Sequence, residues 1–150
     1  MIKKAIILCG GTGSRMFPVT KSVNKQLLPL FDKPMFYYPL SLMMLSGIKE
    51  FIFIINERQE VNFKKALGDE KDLGIKIKYI VQSKPRGLPD AFILSQKFIH
   101  NESVAMILGD NFFYGNMLSP IIKSSFKKTL GCNIYLLSLI HISEPTRRTP

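Results

Sequence analysis

Short apolar runs rich in β-branched residues alternate with helical patterns along this chain of 150 residues. Four runs predict strands, at residues 3–9, 49–55, 75–81 and 104–108. Four helical patterns lie between or after them, at residues 35–46, 57–67, 89–99 and 118–129. Pro34 is well placed to start the first helix, and the lysines that alternate within 75–81 favour an edge strand or a half-exposed one. This order predicts an α/β fold with a doubly wound, mostly parallel sheet.

Basic residues outnumber acidic ones, with 21 Lys and Arg against 11 Asp and Glu and a formal net charge of +10 at pH 7. A basic surface favours anionic partners. The basic residues are scattered, without a dense run or interleaved exposed aromatic residues, so we expect a small anionic substrate rather than nucleic acid. The apolar runs are far shorter than the roughly 20 residues that a bilayer requires, so no membrane partner is expected.

The two cysteines, Cys9 and Cys132, lie far apart and lack the spacing of metal ligands. Both fall within apolar, strand-like runs, so we expect small buried hydrophobic residues rather than a zinc site or a disulfide. This cysteine usage, together with an N-terminus unlike a signal peptide, predicts a cytoplasmic location.

The end of the chain breaks the alternation of strands and helices. Residues 137–147 resemble the translation of a sequencing-library adapter, so we expect 1–136 to be the native part and 137–150 to be a non-native tail. A fifth strand is predicted at 132–136, and a parallel sheet cut there lacks strands and covering helices. We therefore expect the natural protein to be longer. A genuine strand followed by a polar tail is the alternative.

A glycine-rich turn follows the first predicted strand directly, in the order Gly10-Gly11-Thr12-Gly13-Ser14-Arg15. Glycines allow a tight turn with positive φ and bring backbone N–H groups close to a ligand, which is typical of phosphate binding. A Walker loop would need a lysine where Ser14 stands, and the dinucleotide fingerprint would need a third glycine at Met16. The turn therefore predicts a phosphate site of another kind.

The residues after the turn carry a long ordered series of motifs: Lys25-Gln26-Leu27-Leu28-Pro29, Lys33-Pro34-Met35, Tyr38-Pro39-Leu40, Gly87-Leu88 and Leu108-Gly109-Asp110-Asn111. With the turn, this series resembles the N-terminal half of sugar-nucleotide pyrophosphorylases across residues 2–136. The resemblance implies a Rossmann-like, three-layer α/β/α nucleotidyltransferase fold, truncated in this chain. It also implies transfer of a nucleotidyl group from a nucleoside triphosphate to a sugar 1-phosphate, with release of pyrophosphate.

The resemblance assigns phosphate chemistry to individual residues. Arg15 and Lys25 are the implied catalytic residues: Arg15 would take the departing pyrophosphate through its planar fork, and Lys25 would lie at the α-phosphate or the incoming phosphate. Such a transfer needs in-line positioning and positive charge rather than covalent help. Backbone amides of the turn would bind the phosphates at Gly10, Gly11, Thr12, Gly13 and Ser14.

Asp110 follows the strand predicted at 104–108 and resembles the metal ligand of the family. Mg²⁺ prefers carboxylate and phosphate oxygens, so Mg²⁺ is the expected cofactor. Because the carboxyl ends of parallel strands border one crevice, we expect Asp110 to meet the glycine turn there. Gln26 is expected near the nucleotide sugar, and a second metal carboxylate is expected beyond residue 136.

Selection of the base falls, by resemblance, to Gln82 and Gly87, which can pair with the edge of thymine or uracil. The expected substrates are dTTP and glucose 1-phosphate, which would give dTDP-glucose and pyrophosphate, with UTP or another nucleotide as the alternative. Where the family often has Asp-Gly-Leu-Ala-Gln-Ala, this chain departs at Arg86, Pro89 and Asp90. These departures leave the preferred base and sugar open.

Two readings from other classes remain: a non-catalytic nucleotide-binding module and a basic RNA-binding domain, whose affinity would fall steeply with salt. The chain of 150 residues is expected to be inactive alone, because half of the family's fold lies outside it. The full-length form is expected to be a homo-oligomer.

Overall fold

The computed structural model describes residues 2–11, 13–57, 59–84, 86–100 and 102–127. In chain order the elements are β1 (Lys4–Cys9), β2 (Pro29–Leu30), β3 (Lys33–Pro34), α1 (Tyr37–Leu45), β4 (Glu50–Ile55), α2 (Glu60–Leu67), β5 (Lys76–Val81), α3 (Leu88–Ile99), β6 (Val104–Leu108) and α4 (Leu118–Ser125). Three single-turn 3₁₀ helices lie between β1 and β2, at Ser14–Met16, Val19–Lys21 and Lys25–Leu27.

Strands β5, β4, β1 and β6 lie side by side in that order and form one parallel sheet. The chain builds outward from β1 to β4 and β5, and then returns to add β6 on the other side of β1. This reversal opens a crevice at the carboxyl ends of β1 and β6, where open α/β sheets bind ligands. Within the described residues β5 has one neighbouring strand, which agrees with the edge position, one of the two alternatives that its alternating lysines predict.

Helices cover both faces of the sheet. On one face α1, α2 and α4 pack over a core that includes Phe36, Phe53 and Phe63, whose ring centroids lie 5.2 to 6.0 Å apart in edge-to-face pairs. On the other face α3 packs through Ala91 and Ile99 in a smaller core. The predicted α/β, Rossmann-like, doubly wound parallel fold is therefore confirmed.

The expected start of the first helix at Pro34 is wrong. Pro34 pairs with Pro29 in the antiparallel two-stranded sheet of β2 and β3, and α1 begins only at Tyr37. The tight turn between these strands holds the chain extended through Pro34, so the proline cannot serve as the first helical residue. The fifth strand expected at 132–136 and the tail at 137–150 lie outside the described residues.

The aromatic residues near this hairpin divide into two groups. Phe36 is fully buried in the core, and the Tyr37 hydroxyl donates to the carbonyl of Ala66 at 2.7 Å. Phe31, in contrast, is 98% exposed at the turn between β2 and β3 and lies outside the core. Among the described residues, no helix has both the length and the apolar character needed to cross a bilayer.

Candidate functional site

A cavity of about 260 Å³ opens where β1 and β6 end. Residues from three separate stretches of the chain line it: Gly10, Gly11, Gly13, Ser14, Arg15, Met16, Lys25, Gln26 and Asp110. The glycine turn and Asp110 therefore share one cavity, as the parallel sheet requires. Thr12 belongs to the same predicted set but lies outside the described residues.

Gly13 shows why the turn needs glycine. Its φ is +60°, in the left-handed region, and a Cβ built on it would lie 2.8 Å from Cγ2 of Thr20. The Thr20 hydroxyl donates to the Gly13 carbonyl at 2.8 Å, so this close approach is itself part of the turn. The single-turn helix Ser14–Met16 begins immediately afterwards and carries Arg15, whose side chain is exposed beside the cavity.

Asn56 holds the other side of the turn, a role that sequence reasoning missed. Its Oδ1 accepts from the backbone N–H of Gly11 at 3.2 Å, and its Nδ2 donates to the Gly11 carbonyl at 2.8 Å. Asn56 directly follows β4, the strand next to β1, so the carboxyl ends of these two strands lie side by side. One side-chain amide thus satisfies both backbone groups of Gly11.

Asn24 ties the end of β1 to the segment that carries Lys25, and it too was missed. Its Nδ2 donates to the Cys9 carbonyl at 3.1 Å, while its Oδ1 accepts from the Gln26 backbone N–H at 2.9 Å. Asn24 is 7% exposed, so both hydrogen bonds are shielded from water. An asparagine just before Lys-Gln-Leu is typical of a helix cap, which was the available sequence signal.

Lys25 and Asp110 form an ion pair across the cavity. The Lys25 ammonium lies 2.7 Å from Oδ2 of Asp110, and each side chain keeps about a third of its surface exposed. Asp110 follows β6, and Lys25 lies in the segment that connects β1 to β2. The ion pair therefore joins two separate parts of the chain at the switch point of the sheet. The pair places one positive and one negative group where phosphate oxygens and a cation could bind.

The backbone just before Asp110, at Gly109, is tightly packed. A Cβ built on Gly109 would lie 2.5 Å from Sγ of Cys9 and 3.1 Å from Cγ of Gln26. The Cys9 thiol is fully buried, which confirms its predicted packing role. Burial raises the pKa of the Cys9 thiol, and the negative charge of Asp110 raises it further. The thiol is therefore protonated at neutral pH and serves as packing rather than as a nucleophile.

Gln26 carries an unpaired acceptor at the cavity. The residue is 4% exposed, and its Oε1 has no hydrogen-bond partner among the described residues. A buried amide oxygen without a donor is costly unless a ligand or water supplies one. Gln26 lines the cavity with other atoms of the residue, while Oε1 itself is buried.

Gln82 and Gly87 do not line this cavity. Gln82 follows β5 and is 5% exposed, and its Oε1 lies 3.0 Å from where a Cβ on Gly10 would stand. Its Nε2 donates to Oδ2 of Asp90 at 2.6 Å. Gly87 has φ +84° and immediately precedes α3, the helix that carries Asp90. Of the two predicted base-binding residues, Gln82 thus lies next to Gly10, and Gly87 precedes the helix whose Asp90 bonds to Gln82.

A family model described as nucleotidyl transferase matches residues 4–147. A parallel sheet whose switch point carries a glycine turn, a lysine and an aspartate agrees with that match. The chain belongs to the nucleotidyl transferase family.

Within this family the chain is similar to glucose-1-phosphate thymidylyltransferases. It is 47% identical over 132 residues to that of Neisseria meningitidis, covering 88% of this chain and 46% of the relative. It is 44% identical over 120 residues to that of Mycobacterium tuberculosis, covering 80% of this chain and 42% of the relative. The chain therefore spans less than half the length of these curated relatives.

Two solved structures show the same architecture. A Bacillus anthracis protein described as a candidate glucose-1-phosphate thymidylyltransferase, solved with bound sucrose, matches with a TM-score of 0.75 and 33% identity. The match covers 85% of this chain and 52% of that one. A UDP-glucose pyrophosphorylase complexed with UDP-glucose matches with a TM-score of 0.66 and 25% identity, covering 85% and 54%.

Proposed function

We propose that residues 1–136 are the nucleotide-binding part of a longer enzyme that transfers the thymidylyl group of dTTP to glucose 1-phosphate. The products are dTDP-glucose and pyrophosphate. The observation that carries the proposal is the shared cavity, in which the glycine turn, Arg15, Lys25 and Asp110 surround one space. The similarity to curated glucose-1-phosphate thymidylyltransferases supports the choice of substrates.

In this mechanism the chain's residues position phosphates and balance their charge. Asn56 keeps Gly11 in place by bonding to both of its backbone groups, so the predicted phosphate contact of the Gly11 N–H does not fit this structure. The phosphate donors are the other backbone N–H groups of the glycine turn. The Arg15 guanidinium binds the departing pyrophosphate in a bidentate manner, and Lys25 supplies a point charge at the α-phosphate. The nucleophile is an oxygen of the sugar 1-phosphate, so the protein does not have to supply one.

We propose Mg²⁺ as the cofactor, and the donor set fits it. Asp110 offers a hard carboxylate oxygen at the cavity. The described residues hold no cluster of three or more His, Cys, Asp or Glu, so these residues suit a cation that takes most of its ligands from phosphates and water. When bound, Mg²⁺ supplies positive charge to the phosphate oxygens.

We assign base recognition to Gln82 and Gly87, because thymine and uracil present the same N3–H and carbonyl edge to an amide. UTP is the alternative nucleotide for this reason, and the similarity to a UDP-glucose pyrophosphorylase favours keeping it.

We also propose a cytoplasmic location, which the buried free thiol of Cys9 supports. The proposed homo-oligomer of the full-length form is testable by sedimentation.

The experiment measures Mg²⁺-dependent dTTP binding by this chain and pyrophosphate release by the full-length enzyme. Lys25→Ala is expected to weaken dTTP binding by roughly 10- to 100-fold, because it removes a charge-assisted contact. Lys49→Ala is the matched control, since Lys49 is exposed and lies at the amino end of β4, whereas the cavity lies at the carboxyl ends of the strands. Preference of the enzyme for CTP or ATP would refute the assignment.

The chain of 150 residues by itself is expected to release no measurable pyrophosphate from dTTP and glucose 1-phosphate. The reason is that the chain spans less than half the length of its curated relatives, and we place the sugar-binding half and the second metal carboxylate in the remainder of the enzyme. Turnover by this chain would contradict that expectation while leaving the nucleotide site intact.

A further inference from the structure

Gln82 is fixed by hydrogen bonds from both its backbone and its side chain. Its backbone N–H donates to the Ile55 carbonyl at 2.8 Å, which continues the pairing of β5 with β4 by one residue. Its side-chain Nε2 donates to Oδ2 of Asp90 at 2.6 Å. With 5% of its surface exposed, Gln82 has little room to adopt another rotamer.

Asp90 is itself placed by the start of α3. It lies in the first turn of that helix, where a negative charge is stabilised by the helix dipole. The next residue, Ala91, is fully buried in the core that includes Ile6 of β1 and Ile54 of β4. The first turn of α3 is therefore packed onto the sheet, and the Asp90 carboxylate has a defined position.

The chemistry of a carboxylate decides which end of the amide faces it. An ionised aspartate only accepts hydrogen bonds, whereas the two ends of a glutamine amide are an acceptor and a donor. Asp90 therefore requires Nε2 of Gln82 on its side and directs Oε1 towards Gly10, where a Cβ would lie 3.0 Å from that oxygen. The opposite flip would set two acceptors against each other.

We propose that Asp90 is a positioning residue that fixes the flip of the Gln82 amide and thereby sets selectivity for thymine and uracil over cytosine. The proposal rests on the proposed function, in which Gln82 recognises the base. It adds a residue to that recognition at one of the positions where the chain departs from the family's frequent sequence.

A fixed amide distinguishes the pyrimidines by hydrogen-bond polarity. Thymine and uracil present a donor, N3–H, beside carbonyl acceptors, and this edge matches an amide oxygen together with the second Nε2 proton of Gln82. Cytosine presents an acceptor at N3 beside an amino donor, so the fixed amide would oppose acceptor to acceptor and donor to donor. An amide free to flip could match either base, and the discrimination would fall.

The experiment measures equilibrium binding of dTTP, dCTP, UTP and CTP by the full-length enzyme in the presence of Mg²⁺. Asp90→Asn keeps the size of the side chain but lets it donate as well as accept, so Gln82 can flip. The expected result is a fall of roughly 10-fold or more in the dTTP-to-dCTP affinity ratio, and in the UTP-to-CTP ratio. Asp72→Asn, at an exposed aspartate before β5, is the control and is expected to leave both ratios unchanged.

A second readout reports the flip without any nucleotide. In the ¹⁵N spectrum of the wild type, one Nε2 proton of Gln82 is expected to be shifted downfield and protected from exchange by the bond to Asp90. In Asp90→Asn this signal is expected to weaken together with the dTTP-to-dCTP affinity ratio. If Asp90 had only a structural role, the signal and the affinity ratio would not change together. Should Asp90→Asn fail to fold, Asp90→Ser is the substitute, because its hydroxyl also both donates and accepts.

The outcomes separate the inference from the proposed function. A wild type that binds dTTP over dCTP, with the same ratio in Asp90→Asn, overturns the inference and leaves the function standing. A wild type that binds none of the four nucleotides overturns both. A ratio that falls together with the Gln82 signature supports the inference.

Discussion

The residues at the carboxyl ends of β1 and β6 are mostly polar or charged, whereas a packed aromatic core lies between one face of the same sheet and the helices that cover it. The cavity rim, which we define as Arg15, Lys25, Gln26 and Asp110, includes an ion pair and a buried oxygen that has no hydrogen-bond partner in the described part of the chain. The aromatic core, defined as Phe36, Phe53 and Phe63, is buried and in edge-to-face contact throughout.

The difference teaches where each kind of residue acts. Burial of the aromatic core stabilises the fold, because apolar area is removed from water and the rings interlock. The cavity rim leaves hydrogen-bonding capacity and charge available for a ligand, so its contribution to folding is small. Substitutions at the rim should therefore change binding and turnover, and substitutions in the core should change the free energy of unfolding.

The largest effect is expected at the rim. Arg15→Ala and Asp110→Asn should each lower kcat/KM of the full-length enzyme by roughly 10²–10⁴-fold, the range for lost electrostatic stabilisation. The free energy of unfolding of Arg15→Ala should change by less than about 0.5 kcal/mol, because Arg15 is exposed. Steady-state turnover and urea unfolding measure the two quantities. Near-normal rates for both variants would remove the distinction between the two regions.

The next effect is expected in the core. Phe63→Ala should lower the free energy of unfolding by about 3–5 kcal/mol, because it leaves a cavity beside two other rings. Phe31→Ala is the matched control, since Phe31 is 98% exposed, and its change should stay within about 0.5 kcal/mol. Urea unfolding compares them. A Phe31 variant as unstable as the Phe63 variant would contradict the assignment of the core.

Asn24→Ala is expected to affect both regions. It leaves the Cys9 carbonyl and the Gln26 N–H without their partner, which should cost about 1–3 kcal/mol of unfolding free energy. It also releases the segment that carries Lys25, so dTTP binding should weaken. Asn62→Ala, at an exposed asparagine of α2, should change neither quantity. If Asn24→Ala changed only one of them, the coupling of rim and fold through Asn24 would be wrong.

The smallest effect is expected at the edge of the core. The Tyr79 hydroxyl is buried and has no partner among the described residues, so Tyr79→Phe should raise the free energy of unfolding by about 1 kcal/mol. Burial raises the pKa of the Tyr79 phenol, and the negative charge of Glu70 adds to the shift. A melting temperature that falls in Tyr79→Phe would show that the hydroxyl has a partner after all.

The raised pKa also predicts a pH dependence at Tyr79. Because the folded state holds the phenolic proton more tightly than the unfolded chain, this stability is present below the unfolded pKa of about 10 and is lost as pH rises beyond it. The wild type should therefore lose stability above pH 10 faster than Tyr79→Phe. Parallel losses in urea unfolding at alkaline pH would contradict the expectation.

The main strands and helices were predictable because their signals are local. Apolar runs bounded by glycines identify the strands β1, β4 and β6, and alternating lysines identify the edge strand β5. The hairpin of β2 and β3 was missed because strands of two residues are too short to show any alternation. The start of α1 was misplaced for the same reason, since Pro34 is equally suited to an edge strand.

The candidate site was predictable where glycines and charged residues follow strands in sequence. The roles of Asn24 and Asn56 were not, because their hydrogen-bond partners lie 15 and 45 residues away along the chain. The bond between Gln82 and Asp90 spans 8 residues, but it exists only because the first turn of α3 packs on the sheet to which β5 belongs.

The amino-acid sequence by itself determined the parallel α/β architecture and the glycine turn, because periodicity and backbone freedom act over a few neighbouring residues. Tertiary structure alone decided that Lys25 pairs with Asp110 across 85 residues and that Asp90 orients the amide of Gln82. Such pairings depend on the order in which strands join the sheet, since that order sets which carboxyl ends lie side by side.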